Sequence, residues 1–163
     1  MSAPRLHETI IAQRIVDLID QNLSQALGLK VVAIGALEFY PALNDLSGSV
    51  PAVFVKPAPA TTLSRITTGQ TYRLVYGFRV VYVQIFEPNE EIVKDKTVNA
   101  QQIAELLIDN IDLGGLQLPN GQVLFSTVKE IQWEPPEDNL VASINANMTA
   151  TAFVFSVETT SRK

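Results

Sequence analysis

Few residues in this sequence could support enzymatic chemistry. Catalysis by a nucleophile and a general base pairs a serine, threonine or cysteine with a histidine, and the sequence has one histidine, His7, and no cysteine. Because polar side chains are mostly exposed, we predict that His7 is a solvated surface histidine at the start of a helix. The absence of cysteine excludes disulfides, thiolate catalysis and cysteine-ligated metal sites.

Acidic residues gather near two turns and could in principle hold a metal ion. The first group comprises Glu87, Glu90, Glu91 and Asp95, and the second comprises Glu134, Glu137 and Asp138. Neither group has the spacing of an EF-hand loop or a zincin helix, so we interpret both as solvated turn acids. The glycines match neither phosphate-loop pattern, G-x-G-x-x-G or G-x-x-x-x-G-K-[ST]. We therefore expect no catalytic residues, no metal site and no cofactor.

Four aromatic residues alternate along one segment, as they would on a base-stacking platform: Tyr72, Tyr76, Phe78 and Tyr82. Such platforms lie beside a basic groove, whereas only Arg73 and Arg79 are close in sequence and the net charge is -5. A sheet face packed under helices is the better interpretation. We expect no specific binding of nucleic acid.

The length and composition fit one folded domain over residues 1–163. A chain of 163 residues with 47% hydrophobic and 18% charged residues can bury a single core. The first residues mix charged and apolar side chains, unlike a signal peptide, and no apolar run is long enough to cross a membrane. We expect a soluble cytoplasmic product that makes no membrane contact.

Two segments have the apolar spacing of amphipathic helices. The first covers residues 6–27 and stops at Gly28, and the second begins near Thr97, after an irregular lead-in over residues 89–96, and ends near residues 114–115. An acidic stripe follows the second helix at Glu105, Asp109 and Asp112. We interpret this stripe as a solvated face, which in a closed ring of subunits could instead face the channel.

Residues 71–86 form the longest strand-like run, about three times the modal strand length of 5–6 residues. Such a strand needs a bent sheet or a neighbouring subunit, and Gly77 offers a position for a bend. Shorter strands are predicted at residues 31–40 and 51–56, which we interpret as a hairpin, and at residues 122–134 and 143–159. Residues 57–70, rich in proline and threonine, suit an extended loop or arm.

These elements predict an α+β domain. It has a twisted, mostly antiparallel sheet with two helices packed on one face, in the order α-β-β-β-α-β-β. The same element order, with the motifs PAVFVKP, TGQTYRLVYGFRVVYVQIF and VNAQQIAELLIDNI, resembles the tail terminator, or tail completion, proteins of long-tailed bacteriophages.

The resemblance implies a structural virion protein that acts without chemistry. It implies a hexameric ring that caps the tail tube, ends tail growth and offers a head-tail joining surface. The implied partners are further copies of the chain, the tail tube protein and a head-side connector or neck protein. The implied location is the tail-neck junction of the virion, with assembly in the host cytoplasm. DNA would pass through the ring, where an acidic lumen would repel it.

Ring contacts between identical subunits are heterologous and close by rotation. We predict that Lys56 and seven further charged residues form ion pairs between subunits and so set the register of the ring. The seven lie in the arm and near the strand ends: Arg65, Arg73, Arg79, Glu130, Glu134, Glu137 and Asp138. Three alternatives remain open. The chain could be another neck or head-completion protein, a tail tube or baseplate component, or a small-ligand-binding regulatory domain.

Overall fold

A computed structural model describes residues 7–35, 51–65, 71–85, 90–139 and 148–162 of the chain. In these residues two long helices accompany one sheet of six strands. The helices are α1 (Glu8–Leu27) and α2 (Glu90–Asp109), and the strands are β1 (Val31–Ile34), β2 (Ala52–Arg65), β3 (Thr71–Ile85), β4 (Gln117–Leu118), β5 (Gly121–Gln132) and β6 (Met148–Arg162). The predicted α+β class and element order are confirmed, with the two-residue β4 added.

Helix α1 follows the predicted pattern. Its apolar residues recur every three or four positions, and Ile11, Ile15 and Ile19 are fully buried. The helix ends at Gly28 with a φ of 64°, a left-handed conformation that glycine adopts without steric cost. Within the described residues, neither long helix combines the length and apolarity that crossing a membrane requires.

Helix α2 begins earlier than predicted. The segment predicted to be an irregular lead-in, residues 89–96, is helical from Glu90 onward. The apolar period becomes clear only near Val98, because the preceding residues are mostly charged. Glutamate and lysine nevertheless have good helix propensity, so the helix extends through them.

The strands lie in the order β1-β2-β3-β6-β5-β4. Every neighbouring pair is antiparallel except β1 and β2, which run parallel with Val31 opposite Ala52. The prediction that these two segments form a hairpin is therefore wrong. A parallel pair needs a crossover of about a dozen residues or more, and the sequence between the two strands, residues 35–51, is long enough for one.

Strand β2 runs through most of the segment predicted to be a loop or arm. Its residues 61–65 pair with β3, where Arg65 lies opposite Tyr72, and the register shifts between Pro57 and Thr61. Proline cannot donate a ladder hydrogen bond, but a strand tolerates it at an irregularity or where its edge is unpaired. The loop prediction is therefore wrong for residues 57–65, and residues 66–70 lie outside the described residues.

Strand β3 confirms the predicted long strand over residues 71–85. It pairs with β6 along its whole length, from Thr71 opposite Arg162 to Ile85 opposite Met148. The partner that so long a strand requires is therefore supplied within the chain. Phe86, the last residue of the predicted run, lies outside the described residues.

The main core lies between the two helices and one face of the sheet. Five residues on the helix-facing side of β3 are buried, and Tyr72 on the same side is half-buried. The five are Leu74, Tyr76, Phe78, Val80 and Tyr82. Two of their hydroxyls bond to the helices. The Tyr76 hydroxyl accepts a hydrogen bond from the His7 amide at 3.1 Å, and the Tyr82 hydroxyl accepts one from the Asn99 side-chain amide at 3.1 Å. The predicted packing of this aromatic face under the helices is confirmed.

The opposite face of the sheet, which we call the open face, differs in burial between its two ends. At one end it is apolar and buried, in a cluster that includes Phe54, Val81 and Val83. Toward the other end β3 presents Val75 and Gly77, which are half-buried, and Arg73, which is exposed. The open face therefore changes from apolar and buried at one end to partly exposed at the other.

Gly121, at the start of β5, lies against the backbone of β6. A Cβ atom at this position would lie 2.3 Å from the Thr160 carbonyl oxygen, so we expect Gly121→Ala to lower the free energy of unfolding by about 2 kcal/mol through overpacking. Urea unfolding measures this change. Gln122→Ala, on the exposed neighbouring residue, is the control and should cost much less. Equal stability of both variants would contradict the close approach.

Candidate assembly surface

The residues predicted to lie in subunit contacts fall into separate places on the sheet. Arg79, Glu130 and Glu137 meet on the open face, with Asp138 beside them. Arg73 lies farther along β3, and Arg65 ends β2. Glu134 is exposed after β5. The structure therefore brings together four of the seven residues.

Arg79 and Glu137 form a bidentate ion pair within the chain. Arg79 Nε lies 2.8 Å from Glu137 Oε1, and Arg79 Nη2 lies 2.8 Å from Glu137 Oε2. The same Nη2 donates to the Gln132 side-chain oxygen at 2.9 Å, and Gln132 donates to Glu130 at 2.8 Å. Lys56 Nζ lies 3.9 Å from Glu137 Oε1. Paired hydrogen bonds of this kind fix geometry as well as charge.

The environment of Glu137 favours its ionised form. Burial by itself raises the pKa of this carboxyl, but the Arg79 hydrogen bonds, the Glu137 backbone amide and the charges of Arg79 and Lys56 outweigh it and lower the pKa. The carboxylate side chain is 8% exposed. It is therefore a buried charge that depends on its arginine.

Asp138 and Lys96 hold the segment after β5 against β6 and α2. Asp138 Oδ1 accepts hydrogen bonds from the Ala150 amide at 2.6 Å and from Thr149 Oγ1 at 3.0 Å. Lys96 Nζ donates to Thr149 Oγ1 at 2.7 Å and to the Trp133 carbonyl oxygen at 3.1 Å. Burial lowers the pKa of Lys96, while the charges of Asp138 and Glu134 oppose that shift.

Arg73 pairs with Glu158 of β6 on the open face. The Glu158 side chain is 11% exposed, whereas the Arg73 side chain is 47% exposed. Nothing in the local sequence around Arg73 indicates this partner, because the two residues are 85 positions apart. Glu158 was missed by sequence reasoning for that reason.

These contacts change the interpretation of the predicted subunit contacts. Arg79, Glu137 and Asp138 have partners inside the chain that join β3, β6 and the helical turn of residues 136–139. Their observed role is to hold the open face together. Pairing of the predicted residues between subunits stays a prediction, with Arg73, Glu130 and Glu134 the most exposed of those whose side chains are described.

His7, groups of potential metal ligands and a surface cavity are the remaining candidates for a chemical or ligand-binding site. His7 is 5% exposed, so the prediction of a solvated surface histidine is wrong, because this position packs over the sheet beside Tyr76. No group of three or more potential metal ligands occurs among the residues that the structure describes. A surface cavity of about 530 Å³ is lined, in the described part of the chain, by Thr71, Gln117, Asn120, Gly121, Gln122 and Thr160. These residues offer hydrogen bonds but no charged anchor for a ligand.

Comparison with known proteins gives a likeness of fold. No protein-family model matches the sequence, and no curated protein matches it. Among solved structures, a chain of "Virion of native gene transfer agent (GTA) particle" matches with a TM-score of 0.54 and 15% sequence identity, over 94% of this chain and 98% of that chain. The chain therefore shares its α+β fold, over nearly its whole length, with a chain of that structure.

Proposed function

We propose that this protein is a structural component of a tailed-phage virion. The observation that carries the proposal is the fold likeness to a chain of a gene transfer agent virion, which covers 94% of this chain and 98% of that one. The resemblance of the element order and of the quoted motifs to tail terminator proteins supports the same proposal.

Within the virion, the proposed role is that of a tail terminator. The chain forms a ring, hexameric by the resemblance, that caps the tail tube at the tail-neck junction and presents a surface to the head-side connector. This role uses shape and contact surface, so it requires no catalytic residue and no cofactor. The sheet supports it physically, because β3 and β6 pair over 15 residues each and provide a stiff platform for contacts on its edges.

Two measurements on the purified chain test this function. Light scattering after gel filtration should give about six times the 17.9 kDa of the chain, alone or with tail tube protein, if the ring closes as a cyclic assembly. Negative-stain images should show the protein at one end of each tail tube. Indefinite tubes of this protein would instead indicate a tail tube component, and absence from tube ends would contradict the proposed role.

A further inference from the structure

One corner of the open face holds the surface cavity of about 530 Å³, beside the turn between β4 and β5. Gln117 lies opposite Gln122, Gln122 opposite Thr160, and Thr160 opposite Arg73 of the open face. Residues that lie opposite each other in an antiparallel pair point to the same face. The volume is within the range of about 300–1,000 Å³ that is usual for small-molecule sites. In the described part of the chain, the lining comprises Thr71, Gln117, Asn120, Gly121, Gln122 and Thr160.

The lining side chains carry hydrogen-bonding groups that the protein leaves unused. Three are amides, each with donors and an acceptor, and two are hydroxyls, which both donate and accept. Within the residues that the structure describes, none of these five side chains makes a hydrogen bond. Arg73, opposite Thr160, is paired with Glu158. The cavity therefore presents neutral donors and acceptors that are available to a ligand.

The chemistry of the lining selects against three classes of ligand. Phosphates and carboxylates are bound by arginine and lysine, and hard cations are bound by carboxylates. The described lining has none of these groups. Sites for apolar ligands are lined mostly by hydrophobic and aromatic side chains, whereas amides, hydroxyls and one glycine line this cavity. A matching ligand is therefore uncharged and rich in hydroxyl groups.

An exposed aromatic ring lies on the same face, one row along from the cavity. Phe125 is opposite Glu158, which is two residues before Thr160 in β6. Its side chain is 41% exposed, although phenylalanine is usually buried. The face of an aromatic ring carries negative charge density, which attracts the weakly positive C–H groups on the flat side of a sugar ring. Amides for the hydroxyls and a ring for the C–H face are the two features that a saccharide needs.

We infer that this corner of the open face, which we call the amide corner, binds an uncharged saccharide. The side chains of Gln117, Asn120 and Gln122 exchange hydrogen bonds with the sugar hydroxyls, and Phe125 packs against one ring face. The inference concerns a small ligand and not a contact between subunits. It therefore goes beyond the proposed ring and does not depend on it.

The test titrates the full-length chain with neutral oligosaccharides of glucose, galactose, mannose and N-acetylglucosamine. Calorimetry measures the dissociation constant, and saturation-transfer NMR shows which ligand protons contact the protein. At least one of the four should bind. Gln122→Ala and Phe125→Ala should each weaken that binding by at least about threefold, since each removes one hydrogen-bonding or stacking contact.

Gln101→Ala is the matched control for Gln122→Ala. Gln101 is an exposed glutamine on α2, which packs on the other face of the sheet, so this variant should bind the sugar as strongly as the wild type does. Circular dichroism should show that all the variants are folded.

Three results would overturn the inference and leave the proposed ring intact. The first is that none of the four neutral oligosaccharides binds the wild-type chain at about 10 mM. The second is that Gln122→Ala and Phe125→Ala both bind as strongly as Gln101→Ala, which would place the sugar elsewhere. The third is tighter binding of an acidic oligogalacturonate than of any neutral sugar, because the amide corner offers no cation to an anionic ligand.

Discussion

Replacing Phe155 with alanine is expected to lower the free energy of unfolding by about 4 kcal/mol, as measured by urea or thermal unfolding. Phe155 is fully buried in β6, opposite Phe78 of β3 and Val128 of β5. It belongs to the core that both helices cover. Removing its ring would lose apolar burial and leave a cavity that neighbouring strands, held by their ladders, cannot close. This loss is a large fraction of the free energy of unfolding of about 5–15 kcal/mol that is typical of folded domains.

Phe125→Ala is the matched control for this substitution. Phe125 lies on β5, which also pairs with β6, but its side chain is 41% exposed. The same chemical change there should cost much less, because exposed residues away from special features change stability by about 0.5 kcal/mol. Equal losses at both positions would show that the core is not where the structure places it.

Replacing Arg79 with methionine should lower the free energy of unfolding by about 3 kcal/mol at neutral pH. Methionine keeps much of the side-chain length but removes the hydrogen bonds to Glu137 and Gln132. The Glu137 carboxylate would then be buried with only its own backbone amide and Lys56, at 3.9 Å, to offset its charge. Adding Glu137→Leu in the same protein should recover much of the loss, because no buried charge remains.

The pH dependence of stability gives this prediction a second readout. The pKa of Glu137 is lowered in the folded protein, so its contribution is present above the unfolded pKa of about 4.3 and is lost as the pH falls through the folded pKa. Without Arg79, burial raises the pKa of Glu137. The stability difference between wild type and Arg79→Met should therefore begin to shrink above about pH 4.3, where Glu137 of the variant takes up its proton, and should be smallest below the lowered pKa of the wild-type carboxyl. A difference that is constant with pH would show that the lost stability does not come from the ion pair.

Local patterns were enough to predict much of the fold. Residues 6–27 and the stop at Gly28 predicted α1, because helical period and a left-handed cap depend only on near neighbours. The alternation from Tyr72 to Tyr82 predicted which face of β3 the helices cover, because successive strand residues point to opposite faces. The start of α2 was missed where charged residues hide the apolar period.

Strand direction and strand continuity were not predictable in this way. The two short strand-like runs at residues 31–40 and 51–56 suggested a hairpin, yet the strands are parallel, since strand direction depends on the path of the whole connection. Pro57 and Pro59 suggested a loop, yet β2 passes through them, because a neighbouring strand supplies pairing that propensity does not include.

The sequence predicted α1, most of α2, the long strand β3, its buried aromatic face and the shortage of groups for catalysis. Which charged residues meet depends on the fold, since Arg79 and Glu137 are 58 positions apart and Arg73 and Glu158 are 85 apart. The fold also places the turn after α2 against β5, where the Ser126 amide donates a hydrogen bond to the Ile111 carbonyl oxygen. Periodicity follows from contacts along the chain, whereas ion pairs between distant residues follow from strand order and register, which local residues do not specify.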